Sequence, residues 1–174
     1  MTEENSKKFQ PRIFISYRHA DKKTFVLSVH RILKDVFGKD NIFLDAFAIR
    51  AGFDFRDEIK RGVENVDVML VMVGSEWQKL LDAKKDQEAD YVRIEIQSAL
   101  ELDKIVIPVT MNNAPMPLKG DLPDSIKEFV YREKVDIDEN KDFEHDVDVL
   151  IEAIKESFKE RLICKVSANR QFCE

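Results

Sequence analysis

The sequence predicts an α/β fold, a doubly wound five-stranded parallel sheet with helices on both faces. Residues 68–73 and 105–109 are continuous apolar runs, as in strands that are covered on both faces. Residues 91–100, between these runs, have helical periodicity. Strand-like and helix-like segments alternate along the chain, which is typical of βαβ units with right-handed crossovers.

The first half of the chain contains the first three strands. The strand at residues 12–16 ends in a polar turn, where Asp21 is placed to cap a helix at residues 22–37 that Gly38 ends. The side chains expected to be buried on this helix recur every three or four residues: Phe25, Val29, Ile32, Leu33 and Val36. A strand at residues 41–45, a helix at 55–65 and a strand at 66–73 follow.

The second half begins with a charged insertion at residues 82–88, after which the helix at residues 91–100 buries an apolar stripe with Glu95 at its edge. The stripe consists of Val92, Ile96, Ala99 and Leu100. The last elements are a strand at 105–109, a loop at 110–121, a helix at 122–130, an edge strand at 134–137 and a helix at 143–162. Residues 11–162 therefore form one domain, with tails at 1–10 and 163–174.

Composition narrows the class of function. The net charge of −6 disfavours binding to nucleic acid, which depends on clustered Lys and Arg. Neither Cys164 nor Cys173 belongs to a cluster with metal-ligand spacing, so we expect no metal site and a reducing, cytoplasmic location. There is no apolar run of roughly 20 residues, so no membrane partner is expected. Gly-rich Rossmann and P-loop motifs are absent, which disfavours those phosphate sites.

The topology predicts a pocket where the first and third strands end, because ligands bind at the switch point of such sheets. Ser16 and Tyr17 follow the first strand, Gly74 and Ser75 follow the third, and Glu95 overlooks them. Glu95 is either a partly desolvated functional carboxylate or simply a solvated helix residue. A receiver-type domain would need acidic residues where Ser16 and Tyr17 stand, so that alternative is discounted.

Four stretches together give the chain a family resemblance. They are FISY at residues 14–17 with Asp21, FLD at 43–45 continuing to IRAGFD at 49–54, residues 68–77 with their Gly-x-x-Trp ending, and YVRIEIQSAL at 91–100 followed by 105–109 and APMP at 114–117. These stretches and their order, across residues 11–158, resemble those of the Toll/interleukin-1 receptor (TIR) domain family, and within it the bacterial branch. The resemblance implies a flavodoxin-like fold and, in many members, cleavage of nicotinamide from NAD.

The resemblance also implies residue roles. The family's catalytic glutamate lies four residues after a Trp, and Glu95 lies four residues after Tyr91, which takes the place of that aromatic residue. The Trp and Cys of the family's Trp-Cys-x-x-Glu pattern are replaced here. The family's BB loop, the long loop after the second strand, corresponds to residues 46–54 here. The Pro that commonly precedes Gly52 in this loop is also missing, with Arg50 and Ala51 in its place.

Further residues are expected to bind the substrate. Ser16 and Tyr17 would meet ribose or phosphate, and Arg18 and Arg50 either bind a pyrophosphate or are surface cations. Asp45 either binds ribose or caps its loop. Tyr91 is expected to stack on nicotinamide, and Trp77 either does the same or anchors the core. Phe53 is expected to contact the substrate.

The resemblance implies an NAD nucleosidase that releases nicotinamide and gives ADP-ribose or a cyclic or derivatised ADP-ribose signal in bacterial antiphage defence. NAD+ is then a substrate, and no cofactor is expected. The protein would form homo-oligomers through TIR–TIR contacts, working with an upstream or downstream sensor or effector. The expected interface is the BB loop, with Phe47, Ile49, Gly52 and Phe53. The alternative is a noncatalytic TIR–TIR interaction module or host signalling mimic that uses the same loop.

Overall fold

The computed structural model describes residues 10–21, 23–44, 51–84 and 90–170. Within these ranges one parallel sheet contains β1 (Ile13–Ser16), β2 (Ile42–Leu44), β3 (Val68–Val73), β4 (Ile105–Met111) and β5 (Val135–Ile137). The α-helices of the same residues are α1 (Lys23–Phe37), α2 (Phe55–Glu64), α3 (Trp77–Asp82), α4 (Tyr91–Glu101) and α5 (Phe143–Arg170). The predicted flavodoxin-like α/β fold, with its five parallel strands, is confirmed.

The strand order is β2-β1-β3-β4-β5. The chain moves from β1 to β2 on one side of the sheet and then returns past β1 to β3 on the other side. Ser16, the last residue of β1, pairs in register with Val71 of β3. The order of the strands therefore reverses at the β1–β3 pair, where sheets of this kind leave a crevice at the carboxyl ends of the strands.

Two hydrophobic cores cover the two faces of the sheet. All six residues of β3 are buried, as the continuous apolar run predicted. Ile13 and Ile15 of β1 pack with α1 and α5, whereas Phe14 points to the other face. The core on that second face includes side chains from α2, α3 and α4: Ile59, Val63, Trp77, Leu81, Ile96 and Ala99. The helix with Glu95 therefore packs on the same face as α2 and α3.

Several elements differ from the sequence prediction. The short helix α3 was not predicted, because only Trp77 and Leu81, one turn apart, mark its buried side. Val36 is 40% exposed because the buried face of α1 runs through Val29, Leu33 and Phe37 instead. The helix predicted at residues 122–130 is a 3-10 helix at Asp124–Tyr131.

The helix α5 continues to Arg170 rather than ending at residue 162. No Gly or Pro occurs between residues 159 and 170, so nothing in the local sequence ends it. Part of the segment predicted as a C-terminal tail is therefore helical. In the described ranges of the chain, no helix combines the length and apolarity needed to cross a membrane.

Candidate active site

A cavity of about 450 Å³ lies at the carboxyl end of β1. We call it the switch-point cavity. Its walls come from residues 14–20, from Leu80 and Lys84 at the end of α3 and just after it, and from Asp90, Tyr91, Val92 and Glu95 at the start of α4. Its volume falls in the range of small-molecule sites. The sequence placed a pocket between Ser16–Tyr17 and Gly74–Ser75, and among the described residues only the first of these two pairs lines the cavity.

The central contact of the cavity joins β1 to α4. The Ser16 hydroxyl donates a hydrogen bond to Oε2 of Glu95 over 2.6 Å. Ser16 is 1% exposed and Glu95 is 3% exposed. Two residues that are 79 positions apart in the chain thus meet in a buried contact at the cavity wall. A hydrogen bond in such surroundings fixes the direction of the carboxyl group more firmly than one in water does.

Glu95 is more buried than expected for a residue at the edge of an apolar stripe. The buried residues of α4 are Ile94, Glu95, Ile96, Ser98 and Ala99, while Val92 and Leu100 are half-buried. The reason is that α4 packs against α2, β4 and the 3-10 helix at Asp124–Tyr131, so more than one side of it is covered. Periodicity alone assumes a single buried face.

Arg18 occupies the wall of the switch-point cavity but is already paired. Its Nη1 and Nη2 donate to the two carboxylate oxygens of Asp90 over 3.1 and 2.8 Å. The guanidinium carbon also lies 5.2 Å from the ring centre of Trp77. Sequence reasoning expected either a cation for a pyrophosphate or a surface residue. The surface alternative is wrong, because Arg18 is 5% exposed and is held by the Asp90 carboxylate. Binding of a pyrophosphate by Arg18 stays a prediction.

The two expected aromatic residues differ in their surroundings. Tyr91 is 40% exposed, lines the cavity, and meets the ring of Phe55 edge-on at 5.4 Å between centroids. Trp77 is 1% exposed and stacks on Phe129 at 6.0 Å. It is not among the described residues that line the cavity. Trp77 therefore lies in the core, as its core-anchor alternative has it, whereas Tyr91 is open to the cavity and its stacking on nicotinamide stays a prediction.

Three lining residues with polar or charged side chains were not predicted. The His19 ring stacks on that of Tyr17 with centroids 4.8 Å apart, so both belong to one aromatic surface. Lys84 belongs to the predicted charged insertion at residues 82–88, yet it lines the cavity. Asp90 caps α4, with its side chain accepting a hydrogen bond from the Arg93 amide. An aspartate directly before a predicted helix start was the available signal for Asp90.

The predicted Asp45 and most of the BB loop, with Phe47, Ile49 and Arg50, lie outside the described residues. Gly52 has a φ of +86°, a conformation that favours glycine. Phe53 is 53% exposed, and neither residue lines the cavity in the described part of the chain. Asp54 then caps α2, and hydrogen bonds from the side chain and backbone of Arg56 hold the pKa of Asp54 at about 2.

Comparisons with known proteins agree with this architecture. The TIR domain family model matches residues 13–151. The fold is similar to that of the TIR domains in the activated Roq1 resistosome directly recognizing the pathogen effector XopQ, with a TM-score of 0.61. The two sequences are 15% identical, and the match covers 83% of this chain and 99% of that chain.

A prokaryotic SEFIR domain is also similar, with a TM-score of 0.55, 15% identity, and 83% and 92% of the two chains covered. At these identities the structural likeness concerns the fold alone. A search of curated proteins gave no match. The family model spans most of the chain, and its match includes Ser16, Arg18, Asp90 and Glu95. The chain belongs to the TIR domain family.

Proposed function

We propose that this protein is an NAD nucleosidase, which cleaves the bond between nicotinamide and ribose in NAD+. The observation that carries the proposal is the buried contact between Ser16 and Glu95 in the wall of the switch-point cavity. The cavity has the size of a small-molecule site, and Glu95 has the spacing from Tyr91 that the resemblance to catalytic TIR domains requires. NAD+ is the substrate in this account, and no cofactor takes part.

The reaction needs one carboxylate rather than the acid and base pair of ordinary glycosidases. When the bond from ribose C1′ to the pyridinium nitrogen breaks, its electron pair goes to that nitrogen, and nicotinamide leaves as a neutral molecule. Positive charge develops on the ribose. The Glu95 carboxylate, oriented by Ser16, would stabilise that charge from a fixed position.

A nucleophile then completes the reaction. If water bonds to C1′, it loses a proton and the product is ADP-ribose. If a nucleophilic group of the same ADP-ribose bonds to C1′ instead, the product is cyclic. If a hydroxyl of another molecule bonds to C1′ and loses its proton, the product is a derivatised ADP-ribose. ADP-ribose is heavier than the cyclic product by one water molecule, and a derivatised ADP-ribose carries the mass of the added group. Mass and retention time therefore separate the products.

Tyr91 is suited to receive the nicotinamide ring. It lies one turn before Glu95 on α4, it lines the cavity, and much of its side chain is exposed. The Tyr91 ring is in edge-on contact with Phe55, which restricts the orientations of the Tyr91 ring. A flat aromatic face stacks favourably on a pyridinium ring, and the attraction is strengthened by the positive charge of that ring.

Self-assembly would complete the site. The Roq1 TIR domains are part of an assembled resistosome. In this chain Gly52 and Phe53 present an exposed turn and an exposed aromatic side chain next to the α2 cap. We extend the proposal to homo-oligomers formed through this BB loop, with activity that rises with protein concentration. The biological setting we propose is cytoplasmic antiphage defence in bacteria, with a sensor or effector that triggers assembly.

The exposed Phe53 also favours a second function, a noncatalytic TIR–TIR interaction module. Phe53 is 53% exposed, and in this alternative its side chain contributes apolar area to the docking surface. The two functions differ in what Glu95 must do. An interaction module needs the fold and the loop, whereas an enzyme needs the carboxylate.

The experiment is to measure nicotinamide release from NAD+ over a range of protein concentrations, for the native chain and for Glu95→Ala, with mass spectrometry of the products. We expect release by the native chain that rises more steeply than in proportion to concentration, and none by Glu95→Ala. Absence of release at all concentrations, with self-association still seen by light scattering, would favour the interaction module.

A further inference from the structure

A buried ion pair stands at one wall of the switch-point cavity. Arg18 and Asp90 share two hydrogen bonds, and their side chains are 4% and 1% exposed. The guanidinium group also lies over the ring of Trp77, whose own side chain is fully buried. A bidentate pair of this kind fixes both the distance between its partners and their relative orientation.

The ion pair connects the same two chain segments as the contact between Ser16 and Glu95. Arg18 lies two residues after Ser16, where the chain leaves β1, and Asp90 is the N-cap of α4, five residues before Glu95. Both contacts are buried and both line the cavity. The body of α4 packs against α2, β4 and the 3-10 helix at Asp124–Tyr131, and the ion pair adds a contact between the start of α4 and the exit of β1. This contact at the cap fixes the position of the helix start.

We infer that Arg18 and Asp90 are positioning residues that set the place of Glu95 in the switch-point cavity, an inference that rests on the proposed function. They act through α4 rather than by touching the reacting bond. Displacement of a reactive group by about 1 Å can lower a rate by roughly 100-fold. The pair should therefore influence the rate of the chemical step more than the binding of the substrate.

The alternative role for Arg18 is to bind a substrate phosphate. Its two terminal nitrogens, which would form the fork around a phosphate, are both directed to Asp90. Only Nε has no hydrogen-bond partner among the described residues, and this atom is buried. The two roles differ in their effect on a substrate that has no phosphate. Loss of the ion pair lowers kcat on such a substrate if Arg18 positions Glu95, and leaves kcat unchanged if Arg18 binds a phosphate. Nicotinamide riboside is such a substrate and contains the same reacting bond as NAD+.

The test variant is the double substitution Arg18→Met with Asp90→Asn. It removes both charges, so neither is left buried without a partner, and asparagine retains the ability to cap α4. The matched control is Arg161→Met with Asp103→Asn, which removes a more exposed ion pair between α5 and the turn after α4. We expect the control to leave both activities unchanged, since neither of its residues lines the switch-point cavity.

For the test variant we expect kcat to fall at least about tenfold, by the same factor on NAD+ and on nicotinamide riboside, with KM changed less than about threefold. A loss confined to NAD+, seen as a higher KM, would assign Arg18 to the phosphates and overturn the inference. Arg18→Lys retains the charge but loses the two terminal nitrogens that bond to Asp90. We expect the kcat of this variant to lie between those of the test variant and the native chain on both substrates.

Hydrogen exchange gives a readout that does not depend on activity. The inference predicts faster exchange at the amides of residues 94–96 in the test variant than in the native chain or the control. Unchanged exchange there would overturn the inference whatever the activities are. If the native chain releases nicotinamide from neither substrate, the proposed function fails, and this exchange comparison alone decides whether the ion pair positions Glu95.

Discussion

Gly74, the residue directly after β3, should not tolerate a side chain. A Cβ atom added to it would lie 2.2 and 2.3 Å from the two carboxyl oxygens of Asp21 and 2.4 Å from Cγ. Distances below 3.0 Å are essentially never seen for real Cβ atoms, so either Asp21 or the end of β3 must move. Asp21 is 3% exposed, which leaves its short side chain little space to do so.

The cost of Gly74→Ala follows from this geometry. Adding a methyl group to a well-packed site destabilises proteins by about 1–3 kcal/mol. For a domain of this size, each kcal/mol lowers Tm by roughly 2–4 °C. We therefore expect Tm to fall by about 2–12 °C in thermal unfolding followed by circular dichroism. Gly120→Ala is the matched control, because no atom lies within 4 Å of its added Cβ, and we expect no loss of Tm.

A double-mutant cycle separates the clash from other effects. Asp21→Ala removes the three atoms that meet the new Cβ, so Gly74→Ala should cost much less in that background than in the native chain. An equal Tm for Gly74→Ala and Gly120→Ala would refute the predicted clash. The clash would also be refuted if the cost of Gly74→Ala were the same with and without the Asp21 side chain.

Three further predictions concern the core, the active site and a helix cap. Trp77→Ala should lower the free energy of unfolding by about 3–5 kcal/mol in urea denaturation, since its side chain is fully buried; a loss below about 1 kcal/mol would contradict the core role. Ser16→Ala should lower nicotinamide release about 10- to 100-fold by removing the hydrogen bond to Glu95, and an unchanged rate would exclude that orienting role. The pKa of Asp54 falls from 3.8 to about 2 on folding, so its stabilising contribution is present above pH 3.8 and is lost as pH falls toward 2. The difference in urea stability between the native chain and Asp54→Asn should therefore shrink over that range, and a constant difference would contradict the interaction with Arg56.

The fold was predictable because its central strands have a clear physical signature. A strand covered on both faces, such as β3, must be apolar throughout, and helices on alternate faces require the observed alternation of elements. The short helix α3 was not predictable in the same way. Its six residues include two that are buried, too few to reveal a period within a charged segment.

The site was predicted in part. The switch-point rule placed Ser16 and Glu95 near one another, and the structure joins them by a hydrogen bond. The ion pair between Arg18 and Asp90 could not be read from the sequence. Its partners are 72 residues apart, and a charged residue in a polar turn is usually solvated. Only the packing of α4 against the exit of β1 brings the two together.

The most direct test of the account compares two substitutions on the same helix. Glu95→Gln replaces the buried carboxyl group in the cavity by an amide, and Glu101→Gln does the same at an exposed position six residues later. We predict that Glu95→Gln lowers nicotinamide release from NAD+ by at least about 100-fold, while Glu101→Gln retains the native rate. Equal rates for the two variants, or a native chain that releases no nicotinamide when concentrated enough to assemble, would contradict the account.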